Sequence, residues 1–384
     1  MKRRSISVCC VGDVVLRDDD EGPVLGLARH VLREADISFG NCESSYSTRP
    51  VRNGAAGSAE GIIAHPRNLA VLADAGFNVM TFANNHHMDC GDNAFFDTLD
   101  GLKAHGIATC GAGRNIAEAR EPAIIERDGT TVAFLGYSSI LFPGFAAGPR
   151  APGCAPMKIH TYYRQSEEEQ PGSPGVVETV PDADDLRALQ ADVEKAKARA
   201  DIVVVSPHWG IHFKPVEISP YETVVARAAI DAGADLVFGH HPHIMKGVQV
   251  YKGKAIVHSL GNFAFALADM VKRGNWNTPN PTPRRLLYRK LYGEYVMNYY
   301  PDSPVYPFHP DARRVGICRF TVADGRIASV SILPCYINAR GQPEPLHAGH
   351  ERFEEVASYL QEISAGAGFE TRFTQQGDEL LIET

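Results

Sequence analysis

The sequence predicts an α/β protein, because short apolar runs rich in β-branched residues alternate with stretches of helical spacing. Nearly every apolar run ends in a polar cluster that contains Asp, Asn or His. Binding sites of open α/β sheets lie at such strand ends. The chain has 384 residues, of which 44% are hydrophobic and 22% charged, so it can bury a large core.

Seven apolar runs are candidate strands, at residues 5–11, 37–39, 79–82, 132–137, 202–206, 236–239 and 255–260. Four periodic stretches predict helices at residues 65–75, 93–105, 182–200 and 220–232. Asp182 is placed to cap the third helix, because its carboxylate can accept from amides of the first turn. Near the end of the chain, alternation around Asp324-Gly325 predicts a hairpin of residues 314–322 and 327–333.

Two segments lack periodicity and are predicted to be surface insertions or lids over a site, at about residues 142–180 and 271–310. Residues 1–335 are expected to form one domain that carries these insertions. Residues 336–384 are expected to form an extension that packs on this domain, with a helix at 349–363 and a strand at 379–382.

Charge and cysteine content exclude several classes of protein. A net charge of −8 argues against a partner that is a nucleic acid. The eight cysteines are scattered and include no C-x-x-C pair, which favours reduced thiols in a cytoplasmic protein. The basic start of the chain is followed by an apolar run that Asp13 interrupts, so we expect neither a signal peptide nor a membrane anchor.

Side chains that bind metals follow five of the predicted strands. His241 and His243 come after one strand and can direct two imidazole nitrogens at one point, an arrangement that suits Zn, Mn, Fe or Ni. Each cluster alone also has a structural explanation as a turn, a helix cap or a loop. The other four clusters are Gly12-Asp13, Asn41-Cys42-Glu43, the run from Asn84 to Asp89, and His208-Trp209-Gly210.

Together these clusters bring carboxylate, amide and imidazole groups to one edge of a sheet, which predicts a hydrolytic centre with two metals. Two cations roughly 3.5 to 4 Å apart can share a hydroxide nucleophile and hold the oxygens of the attacked group. Such a centre needs a bridging carboxylate, a role that Glu43 can fill. It also needs a nearby acid that protonates the leaving group.

These motifs resemble those of the CapA family of capsule and poly-γ-glutamate synthesis proteins, which is related in fold to calcineurin-like metallophosphatases. The resemblance covers roughly the first 265 residues, and the motifs occur in the order of the family. The matching pieces are Gly12-Asp13, Asn41-Cys42-Glu43, Ala83-Asn84-Asn85-His86 with Asp89 and Gly91, His208-Trp209-Gly210, Gly239-His240-His241-Pro242-His243 and Ser259-Leu260-Gly261-Asn262-Phe263.

The resemblance implies a four-layer α/β/β/α sandwich and two divalent metal ions, which are Mn, Fe or Zn. It implies that Glu43 bridges the metals, and that His86 is the general acid or stabilises the transition state. The remaining implied metal ligands are Asp13 and His243 for one ion and Asn85, His208 and His241 for the other. Further candidates are Asp89 and His212 as catalytic residues, and Asn41, His240 and Asn262 as substrate-binding residues.

Three positions depart from the metallophosphatase or CapA patterns. Glu43 replaces the bridging aspartate of metallophosphatases, a change shared with the CapA pattern, which favours the CapA family over a general phosphatase. The Asp-x-His of metallophosphatases reads Asp13-Val14-Val15, so one metal loses a histidine ligand. Where many family members carry Glu-Tyr this chain has His212-Phe213, and His212 is then an added ligand, a substrate contact or a surface residue.

The sequence therefore favours a metal-dependent hydrolase in which a metal-bound hydroxide attacks a phosphoester or, with less support, an amide or γ-glutamyl bond. The expected substrate is an anionic small molecule or polymer. One alternative is a noncatalytic component that binds an acidic polymer or peptide in capsule-type biosynthesis, for which residues 284–290 supply positive charge. Another is a metal site that is only structural.

Overall fold

Two large β-sheets form the centre of the computed structural model, which describes residues 4–16, 24–56, 61–265 and 283–384. Three short ribbons accompany them. Within the described residues the strands are β1 (Ile6–Val15), β2 (Ile37–Cys42), β3 (Ser45–Tyr46), β4 (Ile63–Ala64), β5 (Val79–Thr81), β6 (Ala108–Cys110), β7 (Ala112–Gly113), β8 (Ala123–Arg127), β9 (Thr130–Ser138), β10 (Gly153–Cys154), β11 (Ile159–Gln165), β12 (Gly175–Pro181), β13 (Ile202–His208), β14 (Leu236–Phe238), β15 (Val248–Tyr251), β16 (Lys254–Val257), β17 (Asn262–Phe265), β18 (Arg314–Ala323), β19 (Arg326–Ile337), β20 (Pro343–Pro345), β21 (Phe373–Gln376) and β22 (Glu379–Ile382).

Helices lie on both sides of these sheets. In the same part of the chain they are α1 (Arg29–Glu34), α2 (Asn68–Ala75), α3 (Gly91–Ala104), α4 (Ile116–Ala119), α5 (Ala183–Lys197), α6 (Pro220–Asp231), α7 (Pro283–Tyr292) and α8 (Phe353–Gly366), with short 3-10 turns at Gly293–Tyr295 and Pro310–Arg313. None of the helices seen in the described residues has the length and apolarity that crossing a bilayer requires.

The strand order groups the parallel strands at one end of the larger sheet and in the middle of the smaller sheet. The larger sheet runs β21-β22-β19-β18-β1-β2-β5-β6, with β17 also paired to β1 and β20 to β19. The smaller sheet runs β15-β16-β14-β13-β9-β8. The parallel strands are β1, β2, β5 and β6 in the larger sheet, and β9, β13, β14 and β16 in the smaller sheet. The carboxyl ends of these strands therefore lie together, as in other α/β sheets.

The two sheets pack face to face and helices cover their outer faces. Phe39 of β2 stacks on Phe134 of β9 with 5.0 Å between the ring centroids, which joins the two sheets across a shared apolar core. Along β1, Val8 and Cys10 belong to this core, whereas Cys9 and Val11 belong to the core beneath helices α1 to α3. Helices α5 and α6 pack on the smaller sheet. This arrangement confirms the four-layer α/β/β/α sandwich.

Each predicted strand and helix is present, with differences at the ends. The first strand continues to Val15 beyond the predicted residue 11, because a bulge at Asp13/Val14 lets β1 pair with β17. The predicted hairpin is confirmed, and Asp324 and Gly325 both take positive φ angles, of 50° and 73°, as a type I′ turn requires. Asp182 caps α5 by accepting from the amides of Asp184 and Asp185.

The two segments without periodicity contain regular structure that the sequence did not predict. Strands β11 and β12 form a mostly exposed two-stranded ribbon in the first segment, and the ribbon ends at Pro181, one residue beyond the predicted boundary. A ribbon whose side chains are mostly exposed needs no alternation of apolar residues, which is why the pattern is missing. In the second segment residues 271–282 lie outside the described residues, and helix Pro283–Tyr292 follows them.

The end of the chain adds to both the larger sheet and the core. Strand β22 pairs with β19, and β21 pairs with β22 at the edge. Helix α8 contributes Val356 and Leu360 to the core between the sheets. Residues 336–384 thus share the sheet and the core of the preceding residues.

Candidate metal centre

Four strand ends, which carry five candidate metal ligands, meet where the two sheets face each other. Asp13 lies near the end of β1, Glu43 follows β2, and His208 ends β13. His241 and His243 follow β14. All five side chains are buried, with at most 7% of any residue exposed.

Asp13 is held from several sides. Its Oδ1 accepts from Asn41 Nδ2 at 2.8 Å, and its Oδ2 accepts from the His241 amide at 3.3 Å. His240 Nδ1 lies 3.3 Å from Oδ1 and His243 Nδ1 lies 3.5 Å from Oδ2. Burial opposes ionisation of this carboxyl group, but the two histidines outweigh it and hold its pKa well below the ordinary value. Asp13 is therefore a carboxylate at neutral pH.

Glu43 has the opposite environment. It is fully buried, and neither carboxylate oxygen accepts a hydrogen bond from any described residue. Burial, followed by the charges of Asp13 and Asp89, raises the pKa of Glu43 well above its ordinary value. Its Oε1 lies 3.7 Å from His208 Nε2 and 3.9 Å from His243 Nε2. A buried carboxylate without a partner is rare in folded proteins, and a bound cation would supply the missing charge.

The imidazoles of this cluster are in the form that binds metals. Burial, reinforced by neighbouring histidines, lowers the pKa of His208, His212 and His241 well below the ordinary value. These rings are neutral at pH 7, the form of imidazole that can bind a metal. His208 Nε2 lies 2.6 Å from Asn85 Oδ1, and no described residue bonds His241 Nδ1.

The loop that carries two of these histidines has an uncommon backbone conformation. His241 has φ 97° and His243 has φ 56°, in the region that favours glycine. The hydrogen bond from the His241 amide to Asp13 and that from the Phe213 amide to Pro242 O, at 3.0 Å, hold the loop. Strained residues of this kind occur at functional sites, where the surrounding structure over-determines them.

His86 and Asp89 form a dyad beside this cluster. His86 Nδ1 lies 2.7 Å from Asp89 Oδ2, and His86 Nε2 lies 3.0 Å from Asn85 Nδ2. The Asp89 carboxylate is fully buried, whereas 13% of the His86 side chain is exposed. The imidazole thus has one nitrogen fixed by a carboxylate and the other beside the cluster.

The three residues predicted to bind substrate lie against the candidate metal ligands Asp13 and His243. Asn41, His240 and Asn262 are all buried, with at most 1% exposed. Asn262 Oδ1 accepts from His243 Nδ1 at 2.8 Å, while its Nδ2 donates to the hydroxyl of Tyr306 at 3.0 Å. Asn41 donates to Asp13 and Asn262 accepts from His243, so both side chains are placed to orient candidate metal ligands.

Two further residues support the cluster without a role assigned from the sequence. Asn84 Nδ2 donates to Asn41 Oδ1 at 3.1 Å and to Cys42 O at 2.8 Å. The indication that the sequence gives for Asn84 is its position next to Asn85, a predicted metal ligand. Tyr306 has no such signal, because it lies in a segment without periodicity, 44 residues after its partner Asn262.

His212 joins the histidine cluster. Its ring centroid lies 3.9 Å from that of His241 and 5.2 Å from that of His243. No described residue bonds its Nε2, although this atom is buried. Of the three alternatives for His212, the ligand and the substrate contact match this position better than an isolated surface residue does.

Lys246 holds the segment that carries His212. Its buried ammonium group donates to Lys214 O and, at 2.7 Å, to Glu217 O. Burial lowers the pKa of Lys246 from 10.5 to about 8. We expect Lys246→Met to lower the free energy of unfolding by about 1 to 3 kcal/mol, because two carbonyl groups lose their donor. Urea unfolding measures this loss.

The stability lost in Lys246→Met should also depend on pH. Between pH 8 and 10.5 the unfolded chain binds a proton at Lys246 that the folded chain has released, so folded stability gains with pH. The difference between wild type and Lys246→Met should therefore widen from pH 8 to 10. The exposed Lys252→Met is the control and should change little. A difference that narrows as pH rises would contradict this account.

Gly12 allows β1 to approach the loop before β17. A Cβ atom at this position would lie 1.9 Å from Gly261 O, which accepts from the Asp13 amide at 3.2 Å. We expect Gly12→Ala to lower the free energy of unfolding by about 1 to 3 kcal/mol through this overlap. Calorimetry measures this loss of stability. Gly54→Ala is the control, because no atom lies within 4 Å of a Cβ atom at residue 54. Equal stability of the two variants would show that the contact is not tight.

The donors present fit divalent cations. Asp13, Glu43 and His243 offer ligand atoms that all lie within 4.8 Å of one another. Asn85, His208 and His241 supply an amide oxygen and two neutral imidazoles close by, with His208 Nε2 3.7 Å from Glu43 Oε1 and 2.6 Å from Asn85 Oδ1. Carboxylate, amide and imidazole ligands suit Mn, Fe and Zn.

Comparison with known proteins places this site in a family context. The chain is 33% identical over 199 residues to "PGA biosynthesis protein CapA" of Bacillus subtilis (strain 168), covering 52% of this chain and 45% of that protein. It is 33% identical over 243 residues to "Capsule biosynthesis protein CapA" of Bacillus anthracis, covering 62% and 53%. The chain thus spans about half the length of these curated relatives.

A solved structure and a family model also match. A putative 5'-nucleotidase from Staphylococcus aureus is similar with a TM-score of 0.45 and 14% identity, over 94% of this chain and 58% of that chain. Residues 7–267, which include every candidate ligand, match the model described as "Bacterial capsule synthesis protein PGA_cap". The chain therefore belongs to the PGA_cap family of bacterial capsule synthesis proteins.

Proposed function

We propose that the chain is a metal-dependent hydrolase with two divalent cations, whose substrate is an anionic phosphoester. The observation that carries this proposal is the position of Glu43, a buried carboxylate with no hydrogen-bond donor among the described residues, whose Oε1 lies within 4 Å of both His208 and His243. A carboxylate in this position is suited to bridge two ions.

The ligands divide between the two ions around Glu43. Asp13 and His243 would hold one ion, and Asn85, His208 and His241 would hold the other. Bound divalent cations lower the pKa of water and stabilise charge on phosphoryl oxygens. The chain contributes the positions of its ligands, which Asn41 and Asn262 fix through hydrogen bonds to Asp13 and His243.

His86 is the proposed general acid. Its Nδ1 is held by the Asp89 carboxylate at 2.7 Å, which fixes the orientation of the ring. Its Nε2 is then the atom that gives a proton to the leaving oxygen of the substrate. The same arrangement would serve an amide or γ-glutamyl bond, whose leaving nitrogen also needs a proton.

The test is metal content by elemental analysis together with turnover of an aryl phosphate and a diester. We expect about two metal ions per chain and turnover that chelation removes and Mn, Zn or Fe restores. Turnover that is unchanged in a metal-free preparation would overturn the proposal. One ion or none per chain, without turnover under any metal, would also overturn it.

The second candidate is a noncatalytic component of polymer synthesis. The names of the Bacillus relatives, which refer to capsule and PGA biosynthesis, favour it. It predicts saturable binding of poly-γ-glutamate without hydrolysis of any bond. Binding measured by fluorescence anisotropy, with product analysis of the same sample, distinguishes the two candidates.

We also propose a cytoplasmic location. All eight cysteines are buried thiols, which suits a reducing compartment. Fractionation of the source cells, with detection of the native protein, tests this location.

A further inference from the structure

Helix α7 presents its leucines to solvent. Leu286, Leu287 and Leu291 are exposed by 53%, 52% and 51%. Tyr288 and Tyr292 are only partly exposed, and Tyr292 packs against the buried core. On an ordinary surface helix the leucines would face the core. Here the tyrosines attach the helix and the leucines form an apolar surface on its outer side.

The same helix is strongly basic. Its ten residues contain Arg284, Arg285, Arg289 and Lys290 and no acidic residue, although the whole chain has a net charge of −8. Arg289 and Lys290 are exposed. Exposed leucines among basic residues form a surface that is complementary to a partner both apolar and anionic.

The helix also lies close to the candidate metal centre. The Tyr292 ring is 5.6 Å from that of Phe213, which is 6.0 Å from that of His243. A surface bound to the leucines of this helix would therefore be near the site.

We propose that helix α7 docks the protein on an anionic lipid surface, with the three leucines in the interface and the exposed Arg289 and Lys290 at the head groups. A lipid bilayer offers both an apolar phase for leucine and a negative surface for arginine and lysine. A soluble anionic polymer offers only the charge, so it leaves the leucines unexplained. The contact is peripheral and needs no segment that spans the membrane.

The experiment is co-sedimentation of the full chain with vesicles of phosphatidylcholine alone and of equal parts phosphatidylcholine and phosphatidylglycerol. We expect binding to the anionic vesicles that falls with salt. The double variant Leu287→Ser/Leu291→Ser should reduce binding about tenfold or more, because two aliphatic side chains leave the interface. Lys290→Gln should reduce it about fivefold, the effect of one basic side chain at an anionic surface.

Val224→Ser on helix α6 is the matched control, because Val224 is 46% exposed on a different helix and its loss should leave binding unchanged. Circular dichroism of each variant verifies its fold. Absence of wild-type binding to anionic vesicles would overturn the proposal. Binding that Leu287→Ser/Leu291→Ser leaves intact would also overturn it, and so would binding to soluble polyglutamate without binding to vesicles. Each of these two results would indicate a purely electrostatic surface.

Discussion

Glu43→Gln is expected to remove bound metal and to lower turnover about 10³-fold or more, because several kcal/mol of transition-state stabilisation depend on the cations. The substitution keeps the size of the side chain and removes only its charge. Elemental analysis and turnover of an aryl phosphate with saturating metal measure the two effects. Retained turnover would show that Glu43 does not serve the ions.

In the metal-free protein, Glu43→Gln should raise the free energy of unfolding, although the same substitution impairs the metal-bound enzyme. Because the folded state raises the pKa of Glu43, it binds the proton more tightly than the unfolded chain does. Above the ordinary pKa of 4.5 the charge of Glu43 therefore reduces folded stability, increasingly until pH reaches the raised value. With chelator at pH 8, Glu43→Gln should be more stable than the wild type by about 1 to 3 kcal/mol.

Glu222→Gln is the matched control for this measurement. Glu222 is also fully buried, but its Oε1 accepts from the Ser219 amide at 2.8 Å and its Oε2 lies 3.3 Å from His258 Nδ1. Neutralising a carboxylate that has partners should destabilise the protein and leave its metal content unchanged. If both variants lose stability in chelator, Glu43 has a partner that the structure does not show.

His86→Ala is expected to impair hydrolysis according to the leaving group. A general acid contributes about 10² to 10⁴ in rate, and an alkyl phosphate needs this proton far more than a nitrophenyl phosphate does. We therefore expect a loss of that size for the alkyl substrate and about tenfold or less for the aryl substrate. Steady-state kinetics on both substrates, with metal content determined in parallel, measure the ratio.

Two other variants sharpen this result. Asp89→Asn should show the same dependence on leaving group to a smaller extent, because the carboxylate that orients His86 Nδ1 becomes an amide. His105→Ala, at the exposed end of α3, should have no effect. Equal losses on both substrates would indicate that His86 acts in binding and not as an acid.

The sequence determined the local features of this protein. The β-rich runs, the cap at Asp182 and the Asp324-Gly325 turn each depend on a few neighbouring residues, so each is predictable from a short window. The positions of Asp13 and Glu43 at strand ends were predictable for the same reason. The family resemblance then supplied the four-layer architecture, which local patterns do not determine.

Only the tertiary structure decided which of these groups are neighbours. Asn41 and His208 are 167 residues apart, and the packing of two sheets brings their nitrogens to 3.4 Å. The missing partner of Glu43 and the stacking of His212 on His241 are likewise properties of the packed site. The outward leucines of helix α7 reverse the usual pattern, so their exposure follows only from the contacts of the opposite face. Such contacts depend on how distant segments share a core, which no local pattern encodes.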